Sequence, residues 1–182
     1  MNVIETSLPG VLIIEPKVFG DSRGFFIETF RDERYAPLGI RGPFVQDNYS
    51  RSVKNTLRGL HLQNPKAQGK LVMAMRGTVW DVAVDVRRGS PHFGKWEGVL
   101  LSEENKRQLW VPPGFAHGFC VVSESADFFY KCTDVYAPDC ESTVQWNDPA
   151  IGVKWPLTAP ILSSRDAQAA PLKDQTRLPS YP

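Results

Sequence analysis

The sequence predicts an all-β sandwich or barrel, and three observations carry that expectation. Apolar residues fall in short runs, about four to eight long, that alternate with polar ones or are wholly apolar, as strands do. Fifteen prolines and fourteen glycines punctuate these runs along the whole chain. Helical periodicity is almost absent, and no internal repeat is evident. Many short strands separated by turns pack as two sheets or close into a barrel.

Taken in order, Pro9-Gly10 makes a turn and Val11-Leu12-Ile13-Ile14 a buried strand that Pro16 stops. The turn Asp21-Ser22-Arg23-Gly24 leads into Phe25 to Phe30, with Phe26, Glu28 and Phe30 on one face. Residues 31–36 suit a short helix, ended by Pro37 and Gly39. Phe44 to Ser50 resumes as a strand with polar side chains on both faces, an odd pattern for pure core. Thr56 to Gln63 is the next strand, and Lys70 starts another through Met75. Val79 to Val86 alternates Val79, Asp81, Ala83 and Asp85 with Trp80, Val82, Val84 and Val86. Strands follow at Trp96 to Leu101 and Gln108 to Val111. Pro112 to Phe119 is expected as a tight corner into the strand Cys120-Val121-Val122, and Phe128 to Thr133 and Ser142 to Trp146 supply the last strands. Beyond Trp155-Pro156 the composition changes. Ser163 to Ala170 reads as a short helix with Ser163 and Asp166 placed like a capping box, and the polar tail after Pro171 is expected to pack loosely.

With 182 residues, 42% of them hydrophobic and 23% charged, the chain suits one domain around one core. A net charge of +1 and the lack of a basic run argue against nucleic acid or an anionic membrane as partner. No run of about 18 apolar residues or signal-peptide pattern occurs. Cys120, Cys132 and Cys140 are odd in number and form no C-x-x-C pair, so they are expected as reduced thiols in a cytoplasmic protein.

The chemistry concentrates between Thr56 and Lys70. Strand parity puts Leu57, Gly59, His61 and Gln63 on one face and Arg58, Leu60 and Leu62 on the other. His61, one of three histidines, stands where a strand would ordinarily carry Val or Ile. Pro112 to His117 fits P-x-G-x-x-H, which resembles the second motif of the cupins, small jelly-roll barrels. In metal-binding cupins the first motif contains H-x-H; here the comparable residues are His61-Leu62-Gln63. His92, on a loop beside Pro91, is a poor third ligand. Two plausible histidines fall short of the three or four ligands usual for zinc or iron, so His61 and His117 are left for acid–base work or hydrogen bonding.

A more specific resemblance rests on several motifs together. They are Arg58-Gly59-Leu60-His61-x-Gln63, Gln68-Gly69-Lys70-Leu71-Val72, Val82-Ala83-Val84-Asp85 and Glu104 to Trp110. Gly114-Phe115-Ala116-His117-Gly118-Phe119, Tyr130-Lys131 and Trp146-Asn147-Asp148 complete the set. In combination they resemble the dTDP-4-dehydrorhamnose 3,5-epimerases, from Val11 to about Gln175. The resemblance implies a metal-free cupin-like jelly roll, a double-stranded β-helix, with short helices near its C-terminus. It further implies one domain over 1–182, a C-terminal helical extension from about residue 157, and N-terminal strands that help form a homodimer. The implied activity inverts C3 and C5 of a 4-keto-6-deoxy sugar on dTDP, without cofactor, in the L-rhamnose pathway that feeds polymers such as lipopolysaccharide.

By the same resemblance His61 is the base, paired with Asp166, Tyr130 is the proton donor, and Lys70 lies near the 4-keto oxygen. Arg58 and Arg165 are implied on the diphosphate, a group that arginine forks suit. Arg23, Phe26, Glu28, Gln46, Asp47 and Asn48 are implied at the thymidine end, several of them from the partner subunit, and His117 and Glu141 also match substrate-contact positions. Where the family often has lysine this chain has Arg165, and where many members have two adjacent aromatics it has Val135-Tyr136. Base stacking then falls to Tyr136 or Phe26. Read from the residues alone, Asp166 serves equally as a capping carboxylate and His117 equally as a lock on the Pro-Gly corner. A single-carbon epimerase, a non-catalytic nucleotide-sugar-binding module and a metal-dependent cupin oxygenase remain alternatives. Parity adds one demand. If Arg58 and His61 meet one substrate, the strand must twist or bulge near Gly59.

Overall fold

The computed structural model describes residues 1–182. Thirteen strands form: β1 (Asn2–Glu5), β2 (Leu12–Glu15), β3 (Val18–Asp21), β4 (Gly24–Ile27), β5 (Gln46–Val53), β6 (Leu57–Gln63) and β7 (Lys70–Arg76). Then come β8 (Thr78–Asp85), β9 (Trp96–Ser102), β10 (Gln108–Val111), β11 (Phe115–Val121), β12 (Ser125–Cys132) and β13 (Glu141–Thr143). Helices are brief: α1 (Asp32–Tyr35), α2 (Ser164–Ala167) and three single 3₁₀ turns. No helix is long and apolar enough to cross a membrane.

The strands build two facing sheets, in the orders β1-β2-β10-β7-β12-β5 and β13-β6-β11-β8-β9, while β3 and β4 form a separate hairpin. This is a cupin-like jelly roll. Between the sheets, Val72, Ala74, Leu109 and Phe128 meet Val79, Ala83, Phe115, Phe119 and Val121. The five-stranded sheet is buried on its other face too. There Leu60, Leu62, Val82, Val84 and Ala116 pack under Val144, Ile151, Leu172 and Leu178 from the C-terminal part. Burial on both faces explains why β11 is apolar at nearly every position. A third cluster places Tyr35 and Ile40 over Ile14, Leu71 and Trp110 on the outside of the six-stranded sheet.

The parity problem is resolved by a register shift. Phe119 faces Arg58 and His117 faces His61, so three steps along β6 match two along β11. The extra residue is a bulge at Gly59-Leu60. Since directly opposed residues share a face, Arg58 follows Phe119 and His61 follows His117, all toward the space between the sheets. Gly59 is needed there. Its φ is +127°, and an added Cβ would lie 2.6 Å from Gly118 Cα and 2.8 Å from the His117 carbonyl oxygen.

Several local expectations need correcting. β1 and β3 were not expected, and β11 begins at Phe115, so the Pro-Gly corner is tighter than the sequence suggested. Residues 44–50 pair later than predicted, over Gln46–Val53. The helix after Ser163 is only one turn long. The tail does not pack loosely. Leu172 and Leu178 are buried, Ser180 bridges to Arg88, and Arg87 lies between the rings of Phe115 and Tyr181 at 4.4 and 4.9 Å.

Gly59→Ala is expected to lower stability by about 2 kcal/mol or more, because both backbone geometry and space oppose a side chain. A denaturant titration should show a lower midpoint at unchanged slope.

Candidate active site

The site forms where the two sheets open at one end. β6, in the five-stranded sheet, presents His61; β7, β12 and β5, in the six-stranded sheet, present Lys70, Tyr130 and Asn48 opposite. Together with Gln46, Gln63, Gln68, Tyr136 and Glu141 they line a cleft of about 230 Å³. His61 and Tyr130 thus stand on opposing walls.

His61 Nε2 lies 2.6 Å from Asp166 Oδ1. Asp166 is buried, and its other oxygen accepts from the Ser163 hydroxyl at 2.8 Å, while Ser163 Oγ accepts from the Asp166 amide at 3.1 Å. Capping and histidine pairing are therefore one arrangement. Helix α2 exists to hold a carboxylate whose second oxygen reaches the strand. Burial pushes the Asp166 carboxyl up, but the hydrogen bond and charge of His61, the Ser163 hydroxyl and the Arg165 charge together hold it below the usual range. With Asp166 ionised, Nε2 carries the hydrogen and Nδ1 is left as the ring's acceptor.

Lys70 makes no ion pair or side-chain hydrogen bond. Burial lowers its ammonium from the usual lysine value, against the opposing pull of Cys132, Glu141 and Asp81. Burial also pushes the Tyr130 phenol up to about 12; Cys132 and Glu141 add to this and Arg58 opposes it. Tyr130 is accordingly a neutral hydrogen-bond donor at ordinary pH.

His117 is buried, and its Nε2 meets both oxygens of the wholly buried Asp81 at 2.9 and 3.0 Å. It sits directly across the ladder from His61. A second carboxylate–histidine pair thus lies beside the first. Asp81 had a signal in the sequence, as a carboxylate on the inward face of a valine-rich strand, but its partner could not be named without the register.

The remaining candidates divide in two. Arg58 donates to Ser52 Oγ at 3.1 and 3.0 Å, and Arg165 forms an ion pair with the cleft residue Glu141. Arg23, Phe26, Glu28 and Asp47 stand apart from the cleft within one chain. Arg23 pairs with Asp21 on the β3-β4 hairpin, Phe26 is 66% exposed, Glu28 pairs with Arg34 at 3.0 Å, and Asp47 pairs with Lys131 on the outer face. Gln63, where a metal cupin would have its second histidine, has its amide engaged by backbone groups, and no cluster of three or more His, Cys, Asp or Glu side chains is arranged to hold a metal.

A jelly-roll barrel with a carboxylate-held histidine, a half-buried lysine and a neutral tyrosine around one cleft defines a cupin-like protein equipped for acid–base chemistry. Comparison with known proteins then specifies the class. The family model described as dTDP-4-dehydrorhamnose 3,5-epimerase matches residues 5–174, and the chain belongs to that family. A relative of that name from Salmonella typhimurium is 58% identical over 181 residues, covering 98% of each chain. The dTDP-6-deoxy-D-glucose-3,5-epimerase of Legionella pneumophila, solved with dTDP-4-keto-L-rhamnose, superposes with a TM-score of 0.96 at 54% identity, covering 100% of this chain and 98% of that one. A 3′-monoepimerase from Streptomyces bikiniensis, solved with dTDP-quinovose, has a TM-score of 0.90 at 36% identity, covering 97% and 92%.

The lowered Asp166 carboxyl gives the His61 pair a pH signature. A depressed folded-state pKa contributes stability above the ordinary aspartate value of 3.8 and loses it as pH falls through the folded value. Asp166→Asn should therefore melt well below the wild type near neutral pH, with the gap narrowing below about pH 4. Thermal melts across pH measure this.

Proposed function

We propose that the chain epimerises dTDP-4-dehydro-6-deoxy-D-glucose at C3 and C5, giving dTDP-4-dehydro-L-rhamnose for dTDP-L-rhamnose biosynthesis. The observation that carries this reading is the placement of His61 and Tyr130 on opposite walls of one cleft. Inversion beside a ketone requires a proton to leave one face of the ring and another to arrive on the opposite face. His61 Nδ1 takes the proton, and Asp166 holds the ring in position and stabilises the imidazolium that results. The electrons of the broken C–H bond pass to the 4-keto oxygen, where the Lys70 ammonium stabilises the enolate. Tyr130 then delivers a proton from the other wall. A phenol raised to about 12 is protonated when needed. The two α carbons are treated in turn, with no change of oxidation state.

Arg58 and Arg165 hold the diphosphate, and Arg165 leaves Glu141 to do so. Gln46, Asn48, His117 and Glu141 contact the substrate along the cleft. Arg23, Phe26 and Glu28, with Asp47 on the outer face, complete the thymidine end across a homodimer. The β3-β4 hairpin supports this because Phe19, Phe25 and Phe26 are all more than half exposed, an apolar surface that a second copy would cover. Residues 1–182 act as one domain, lending the hairpin to the partner and using the segment from about residue 157 to supply Asp166. The three free cysteines suit the cytoplasm, where the product would enter rhamnose-containing polymers such as lipopolysaccharide.

Incubation with substrate in heavy water tests the reading. Deuterium should enter at both C3 and C5, and His61→Ala should slow incorporation at each by about 10²–10⁴-fold. Exchange confined to one carbon would make the chain a single-carbon epimerase. Binding without exchange would make it a nucleotide-sugar-binding module.

A further inference from the structure

One loop beside the cleft is held by three glutamine side chains. Gln63 is buried, and both of its amide hydrogens are used: Nε2 donates to the Lys66 carbonyl at 2.9 Å and to the Val135 carbonyl at 3.2 Å. Its Oε1 accepts from the Ala137 amide at 2.9 Å. Gln68 Nε2 donates to the Asp134 carbonyl at 2.8 Å, and Gln46 Oε1 accepts from the Tyr136 amide at 2.7 Å. The four consecutive residues 134–137 are thus each tied by their backbone to a glutamine. This loop has no strand ladder of its own, so these bonds stand in for one. It carries Tyr136, which lines the cleft together with Glu141.

We infer that Gln63 is a positioning residue: it sets the place of Tyr136, and hence the nucleotide-binding wall of the cleft, by clamping the 134–137 loop to strand β6. Two features single it out from the other glutamines. It makes three of the five bonds, and it joins this loop to the Lys66 turn, so two segments of the rim move together. With its amide hydrogens both engaged and its oxygen occupied, Gln63 acts through the loop and not by direct contact with substrate. A histidine at this place could not make the same three contacts, since a neutral imidazole offers one donor and one acceptor. The position that serves a metal elsewhere in such barrels here serves the backbone.

The inference rests on the epimerase reading for its substrate, but its test uses dTDP binding as well as turnover. Gln63→Met keeps length and removes every hydrogen bond. It should raise both the Kd for dTDP and the KM for the dTDP-4-keto sugar by about tenfold, with kcat changed by less than about threefold. Tyr136→Ala should show the same pattern. The double variant should bind no worse than Tyr136→Ala, because Gln63 acts through that residue. Losses that add in the double variant, or a fall in melting temperature with dTDP affinity unchanged, would overturn it. Gln68→Ala, which removes a single loop bond, covers the case in which Gln63→Met does not fold, and it should weaken dTDP binding in the same direction; unchanged affinity there counts against the clamp. If dTDP binding responds as described but no isotope exchange occurs, the clamp stands and the epimerase reading fails.

Discussion

The bond between His61 Nε2 and Asp166 Oδ1, 2.6 Å long, is the interaction on which the site depends. It joins the strand that faces the cleft to a carboxylate 105 residues later in the chain, in a segment outside the barrel. One turn of helix with Ser163 at its start is enough to hold that carboxylate, because the Ser163 side chain bonds both the amide and the second oxygen of Asp166. The segment is itself anchored by burial of Leu172 and Leu178 against the outer face of the same sheet. Core packing on one side of β6 therefore positions the partner of a histidine on the other.

The barrel supplies the second requirement, which is opposition. Two sheets about 10 Å apart leave room for a sugar ring only where they splay, and the side chains that meet there come from different sheets. The bulge at Gly59 brings Arg58 to the face that His61 occupies, which unbroken alternation would forbid. A pairing of Gly59 against Gly118 permits it, since a Cβ on either glycine would strike backbone of the other strand. The cost of two glycines in adjacent strands is offset by burial of both faces of that sheet.

Much of this was legible in the sequence, and the failures have physical reasons. Alternation located nearly all of the long strands, and the demand for a bulge near Gly59 followed from parity once Arg58 and His61 were assigned together. β1 and β3 escaped notice because Asn2–Glu5 is a four-residue edge strand and Val18–Asp21 contains Gly and Asp, which strands disfavour. The tail was misread because Lys173, Asp174, Gln175 and Arg177 obscure two buried leucines and a tyrosine that stacks on Arg87. Asp81 and the glutamine clamp depend on which strands are neighbours, and only the register identifies their partners. Arg23 and Phe26 stand on the β3-β4 hairpin and Glu28 just after it, where none of them lines the cleft of the same chain.

The central claim is that Asp166 fixes the His61 ring with its hydrogen on Nε2, leaving Nδ1 bare toward the cleft as the base. Imidazole ¹⁵N chemical shifts of His61, followed by NMR through neutral and mildly alkaline pH, test it most directly. A protonated Nε2 with an unprotonated Nδ1, a preference lost in Asp166→Asn, is the result this account requires. A neutral ring carrying its hydrogen on Nδ1, or a ring that stays doubly protonated throughout, would contradict it.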